Sequence, residues 1–256
     1  MIAAILQARV SSTRLPGKVL MPILGRPMLL LQIERIRRAR RVDRLLVATS
    51  TDPSDDAVEK LCREQHIACS RGSLTDVLDR YYRAALPLHA EHIVRLTGDC
   101  PLADPAVIDE VIDFHLNGRF DYTSNSIEPT FPDGLDVEVV RFSCLEQAWK
   151  EAKLPSQREH VTPFLYQQPG RYRIGSIKGK TDLSHHRWTV DEPEDFELVR
   201  RIYEELYPSN PAFTAKDVLA LLERKPELMA INRRFTRNEG YTSSLAKDRP
   251  ASGEKR

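Results

Sequence analysis

The chain has 256 residues, enough for one large α/β domain. Its 38 lysines and arginines stand against 37 aspartates and glutamates, a net charge of +1, so it lacks the basic surplus that marks a nucleic-acid or membrane-surface binder. The apolar content of 41% is ordinary for a globular protein, and no apolar run approaches the ~20 residues needed to span a bilayer.

In chain order, MIAAIL lacks the cationic flank and cleavage pattern of a signal peptide, and residues 2–6 form an apolar strand. Residues 27–38 carry Leu29, Ile33 and Ile36 on one helical face. The Arg35–Arg41 cluster is expected on the solvated face and end of that helix. RLLVATS (44–50) is the next strand. PSDDAVEKLCREQHI (53–67) is a helix with acids at its start, where the macrodipole favours them. A helix over 75–86 follows, with Ser73 and Asp76 at capping spacing, and then a strand over 92–96. DPAVIDEVIDFHLN begins a helix with Asp104 as N-cap and Pro105 at the first helical position. After Phe120 the rhythm loosens. DYTSN (121–125) and GLDVEVV (134–140) are strands with no helix between them. Helices cover 143–153 and 157–167, YRIGSI (172–177) and HHRWTV (185–190) are strands, and helices over 194–206 and 214–223 complete the pattern. His185 and His186 are adjacent, so on such a strand they point to opposite faces and share no metal.

Apolar strands alternating with helices predict an α/β fold: a mostly parallel central sheet with helices on both faces. Residues 1–236 are expected as a single domain. Residues 237–256 are polar, lack periodicity and are expected to be disordered. Cys62, Cys69, Cys100 and Cys144 form no C-x-x-C pair and no zinc-finger spacing with histidine. They are expected as thiols of a reducing compartment, and the protein as cytoplasmic.

Ligands of such sheets bind beyond the carboxyl ends of the strands. The loop Gln7-Ala8-Arg9-Val10-Ser11-Ser12-Thr13-Arg14-Leu15-Pro16-Gly17-Lys18 follows the first strand, and its cations and turn amides suit a polyphosphate. A solvated loop with scattered cations is the plain alternative. It is no P-loop: it has one glycine, and Val19 stands where Ser or Thr would hold the metal. Asp99 follows the strand over 92–96, with Gly98 allowing a sharp turn. Asp191 follows HHRWTV and precedes Glu192, the formal cap of the next helix. Neither aspartate is needed as a cap. Cations for a polyphosphate and two carboxylates at strand ends are the equipment of nucleotidyl transfer, and hard oxygens at this count suit Mg²⁺. The two carboxylates are expected within roughly 8 Å of each other.

The motifs QARVSSTRLPGKVL, RLTGDCPL, FPDGLDVEV, REHVTP and RWTVDEPEDFE closely resemble the cytidylyltransferases of the spore coat polysaccharide biosynthesis protein F type. They resemble more distantly the acylneuraminate and 3-deoxy-manno-octulosonate cytidylyltransferases. The resemblance runs from Met1 to about Leu206. It implies a nucleotide-diphospho-sugar-transferase fold, use of CTP, Mg²⁺ dependence, a CMP-sugar product from a sugar acceptor of acidic type, and a homodimer. It implies that Gln7, Ala8, Arg9, Ser11, Ser12, Arg14, Lys18, Thr97 and Gly98 line the nucleotide, that Asp99 and Asp191 bind the metal, and that Arg14, Lys18, Asp99 and Asp191 carry the chemistry. The octulosonate enzymes place a base-reading Gln where this chain has Thr97, whose single hydroxyl offers less to a base.

Asp136 and Glu138 alternate on one face of GLDVEV. They are candidates for acceptor hydroxyls, or for the polar face of an edge strand. Arg158 and His160, beside Glu159, are candidate acceptor contacts or helix decoration. Two rival functions remain. A glycosyltransferase on a related fold would need a D-x-D motif, which the chain lacks. A non-catalytic nucleotide-binding regulator would have no use for the aspartate pair.

Overall fold

The computed structural model describes residues 1–237 together with Tyr241, Thr242, Ser244, Leu245 and Asp248. Among these, seven strands form the central sheet: β1 (Ile2–Gln7), β2 (Arg44–Ser50), β3 (Cys69–Gly72), β4 (His92–Thr97), β5 (Tyr122–Ser124), β6 (Glu138–Arg141) and β7 (Ile174–Ser176). Their spatial order is β3-β2-β1-β4-β6-β5-β7. The first four pair in parallel, β5 and β7 pair in parallel, and β6 alone runs against its neighbours. This is the expected mostly parallel α/β sheet.

Nine helices accompany it among the described residues: α1 (Met28–Ile36), α2 (Asp56–Glu64), α3 (Val77–Ala85), α4 (Pro105–Gly118), α5 (Phe142–Glu151), α6 (Pro155–His160), α7 (Pro163–Tyr166), α8 (Pro193–Leu206) and α9 (Ala215–Arg224). Because side chains alternate along a strand, β1 divides itself between two cores. Ile2, Ala4 and Leu6 meet residues of α1, α2, α4, α8 and α9, while Ala3 and Ile5 meet α3, α5 and α7. A strand covered on both faces must be apolar throughout, which is why the run 2–6 is legible. Each fully buried Ile or Leu contributes roughly 1.5–3 kcal/mol of transfer free energy.

The caps follow the sequence. Asp104 accepts from the amides of Ala106 (2.8 Å) and Val107 (3.3 Å) at the start of α4. Asp76 accepts from Asp79 N at 2.9 Å to start α3, and Ser73 Oγ accepts from Asp76 N at 2.9 Å.

Several expectations are corrected. HHRWTV forms no sheet strand. Residues 187–190 lie instead along the loop at 133, with one bridge between Asp133 and Arg187 and a bond from Trp188 N to Asp133 O of 2.6 Å. Gly134 (φ +104°) permits that approach, since a Cβ there would sit 2.5 Å from Thr189 N. GLDVEVV therefore becomes a strand only from Glu138. The helix expected over 157–167 breaks into α6 and α7 at Val161, because Pro163 has no N–H with which to continue it. The helix at 53–67 is a 3₁₀ turn followed by α2. The short strand β3 carries no apolar alternation and escaped the pattern. Arg35 is not solvated. It is 2% exposed, donates to the carbonyls of Leu102, Ala103 and Phe213, and stacks on the Phe213 ring.

The expected disorder of 237–256 falls largely outside the described residues. Of those described, Arg237, Tyr241, Ser244 and Asp248 pack against the body of the protein. No helix among the described residues is long and apolar enough to cross a membrane.

Candidate functional site

Parallel pairing sets Gln7 at the end of β1 beside Thr97 at the end of β4. The loops that leave these strands therefore start side by side. Gly98 is required there by closeness: its amide donates to Gln7 O at 2.7 Å, and a Cβ would lie 2.9 Å from that oxygen. The expected sharp turn is thus a close approach of two backbones. Asp55, fully buried, shapes the first loop from below. It accepts from Val10 N at 2.6 Å and from the hydroxyl and amide of Ser50. Spacing alone made Asp55 one more acid at a helix start.

The strand ends enclose a cavity of about 520 Å³. Lys18 leaves the 3₁₀ turn Lys18–Leu20 and reaches into it, 8% exposed. Its Nζ donates to Val190 O at 2.7 Å and to Asp191 Oδ1 at 2.8 Å, with Asp99 Oδ2 at 3.5 Å. Those two carboxylate oxygens are therefore no more than about 6.3 Å apart, inside the expected limit. Burial works to lower the Lys18 pKa, but the two carboxylates outweigh it and raise it. For Asp99, burial works to raise the pKa, and Lys18 with the Thr97 and Cys100 side chains overcomes it, so the carboxyl is held below its usual range. The backbone makes this meeting possible: Val190 N donates to Asp99 O at 2.7 Å, and Thr189 Oγ1 to the same oxygen at 3.3 Å. Segments some 90 residues apart are joined at the aspartates themselves.

Arg14, at the loop's far side, pairs with Asp191 Oδ2 at 3.0 Å and Glu192 at 3.4 Å. Gln7, Ala8, Arg9, Ser12, Thr97 and Gly98 also line the cavity. Ser11 does not. Thr97 Oγ1 lies 3.3 Å from Cys100 Sγ and Gln32 Nε2 donates to Thr97 O, so Thr97 is tied to the scaffold around Asp99.

The acceptor candidates divide. Asp136 lines the cavity and pairs with Arg237. His160 lines it as well, with Nε2 2.9 Å from Ser244 Oγ. Glu138 lies outside the cavity. It is 7% exposed and receives Arg95, Tyr122 OH and Thr162 Oγ1. Arg158 is also outside; it ties α6 to the cap of α3 through Asp76 and to Trp149 O at 2.7 Å. The partners of both come from other elements, which spacing does not show.

Sequence reasoning missed Arg80, Arg95, Asp133 and Arg187, all of which line the cavity. Arg187 is 9% exposed and forks onto Asp195 at 2.9 and 2.8 Å, with Asp133 at 3.4 Å and Asp191 at 3.6 Å. Its spacing four residues before Asp191 was the available signal. Burial, helped by the neighbouring charge of Asp136, pushes the Asp133 carboxyl up to about 7 against the pull of Arg237 and Arg187.

Among the described residues no group of three or more His, Cys, Asp or Glu side chains is arranged to hold a metal ion. A cation between Asp99 and Asp191 would find two hard carboxylates and fill its remaining positions with water and phosphate oxygens, the coordination Mg²⁺ prefers. The donor set fits.

A family model described as cytidylyltransferase matches residues 3–227. The spore coat polysaccharide biosynthesis protein SpsF of Bacillus subtilis is 34% identical over 233 residues, 88% of this chain and 95% of the relative. A 3-deoxy-manno-octulosonate cytidylyltransferase of Geobacter sulfurreducens is 43% identical over 111 residues, 43% of this chain and 44% of the relative. The solved cytidylyltransferase of Leptospira borgpetersenii superposes with a TM-score of 0.84 at 30% identity, over 89% of this chain and 96% of that one.

Proposed function

This chain belongs to the cytidylyltransferase family, and from that membership we propose that it transfers the cytidylyl group of CTP to a hydroxyl of a sugar, releasing pyrophosphate, with Mg²⁺ held by Asp99 and Asp191. The observation that carries this reading is the convergence of Lys18, Asp99 and Asp191 in a cavity that Arg9 and Arg14 also line. The SpsF relative, a polysaccharide biosynthesis protein, and the octulosonate cytidylyltransferase support a sugar as acceptor.

In this mechanism the acceptor oxygen attacks the α-phosphorus and pyrophosphate leaves in line, so positioning and electrostatics supply most of the rate. Lys18 and Arg14 meet the departing phosphates. Both now rest on Asp191, and charge on an incoming triphosphate competes for them. Gly98 and Ala8 line the same cavity with no large side chain. Bound Mg²⁺ would supply charge neutralisation at the phosphate oxygens.

The test is pyrophosphate release with each of the four nucleoside triphosphates against a panel of acidic and neutral sugars. CTP is expected to stand out. Equal rates with UTP or ATP would overturn the cytidylyl assignment.

A further inference from the structure

The family match ends at residue 227, yet residues beyond it line the cavity. Thr236, Tyr241 and Ser244 form part of its wall. Their seat is built, residue by residue. Tyr241 packs edge-on against His160, with ring centroids 5.0 Å apart, and its hydroxyl accepts from Gln167 Nε2 at 3.1 Å. Ser244, 2% exposed, donates to Glu159 at 2.9 Å and meets His160 Nε2 at 2.9 Å. Asp248 accepts from Ser156 N at 2.9 Å and from its hydroxyl. Arg237 pairs with Asp136, with Phe131 O at 3.2 Å and Asp133 at 3.9 Å. That guanidinium offsets the mutual repulsion of Asp133 and Asp136, with Arg187 also paired to Asp133.

The wall so formed is hydroxylic and acidic: Thr236, Tyr241 and Ser244 beside Asp136, Glu159 and His160. Such a surface exchanges hydrogen bonds with a ligand rich in hydroxyls. The cationic part of the lining, with Arg9, Arg14 and Lys18, is the one suited to phosphates. We infer that Thr236, Tyr241 and Ser244 belong to the acceptor wall of this enzyme, with Tyr241 contacting a hydroxyl-rich sugar acceptor and Arg237 a positioning residue that holds Asp136 toward it. These three residues lie beyond the span of the family model, so they add acceptor contacts to those that Asp136, Glu159 and His160 supply from within it. The inference rests on the cytidylyl-transfer reading above.

The experiment compares the full chain with Tyr241→Phe, Tyr241→Ala, Arg237→Gln and Arg237→Lys. CTP binding with Mg²⁺ is measured by calorimetry, which also reports folding, and pyrophosphate release is measured across the sugar panel. Tyr241→Ala and Arg237→Gln are expected to raise the acceptor KM roughly tenfold or more, as the loss of a hydrogen-bonded contact implies, while the Kd for CTP stays within about twofold. Tyr241→Phe should retain the packing on His160 and lose only the hydroxyl's share. Arg237→Lys should recover part of the loss, which a contact serving folding alone would not predict in KM. An unchanged acceptor KM in Tyr241→Ala and Arg237→Gln, or a fall in it, overturns the acceptor wall. If wild-type protein turns over no sugar with CTP, the cytidylyl-transfer reading itself fails and the inference falls with it.

Discussion

Lys18 is the side chain on which the site's charges converge, and it has two jobs that pull apart. In the free protein it neutralises Asp99 and Asp191. With a nucleotide present it serves developing phosphate charge. Losing one group that stabilises developing charge typically costs on the order of 10²–10³ in turnover. Lys18→Met is therefore expected to lower kcat and kcat/KM together by about that factor, and to weaken CMP binding far less, since CMP lacks the leaving phosphates. Arg14→Ala, removing a more exposed cation, should follow in the same direction with a smaller loss. Wild-type turnover in Lys18→Met would return the loop to a solvated role. Asp99→Asn and Asp191→Asn should keep the fold, because Asp104 and Asp195 hold the adjoining helix starts. In either variant, calorimetry should show that Mg²⁺ no longer tightens CTP binding. Tightening as in the wild type would remove these carboxylates from metal binding.

At the scale of elements, the start of α8 is the joint that aims Asp191. Asp195 is fully buried, accepts from the amides of Asp191 and Glu192 at 3.0 Å each, and receives the Arg187 fork and Asn232. Burial works to raise its pKa, and the Arg187, Asn232 and amide bonds overcome this and lower it. Removing one partner of a buried pair costs about 3–5 kcal/mol, because the other charge is left buried. Asp195→Ala should lose stability of that order in urea denaturation, and activity with it, though Asp195 does not line the cavity. A variant as stable as the parent would show that Arg187 finds sufficient compensation in Asp133 and Asp191.

Across the whole molecule, stability should depend on pH through a buried pair remote from the site. His92 Nδ1 lies 3.0 Å from His115 Nε2, and His115 Nδ1 lies 3.0 Å from Thr123 Oγ1, all buried. Burial, with the neighbouring His92, pushes His115 down to about 3. Its pKa is lower folded than unfolded, so below the ordinary value of 6.5 the unfolded chain binds more protons. Stability present above pH 6.5 is then lost as pH falls toward 3, by up to about 1.4 kcal/mol per unit. Asp133 acts oppositely. Its pKa is raised from 3.8 to about 7, so its contribution is full below 3.8 and is lost as pH rises toward 7. Within their shared window the two slopes oppose each other. His115→Gln should remove one of them, leaving a variant whose urea midpoint falls less on acidification from pH 6.5 to 5 than that of the parent. Equal slopes for the two proteins would show that His115 does not bind a proton on unfolding in this range.

Sequence by itself determined the parts whose cause is local. β1 is apolar from Ile2 to Leu6, and β2 and β4 carry apolar centres, because both faces of the sheet are covered there. Asp104 and Asp76 are caps because a short acceptor two or three residues ahead of free amides has one favourable use. The cationic loop after β1 and the aspartates at strand ends follow from the same rhythm, and five motifs in order carried the family. Tertiary structure decided what depends on partners far along the chain. Arg35 is buried because three distant carbonyls receive it, and no spacing encodes them. Glu138 left the candidate site because Arg95, Tyr122 and Thr162 surround it, and Arg187 joined it because Asp133, Asp191 and Asp195 meet there. HHRWTV has the composition of a strand, but Gly134 offers it a loop edge in place of a sheet. Arg237, Tyr241, Ser244 and Asp248 carry no periodic signal, since what seats them is a set of single contacts to Asp136, Gln167 and α6. A charge is buried or solvated according to what faces it, and only the folded chain brings those faces together.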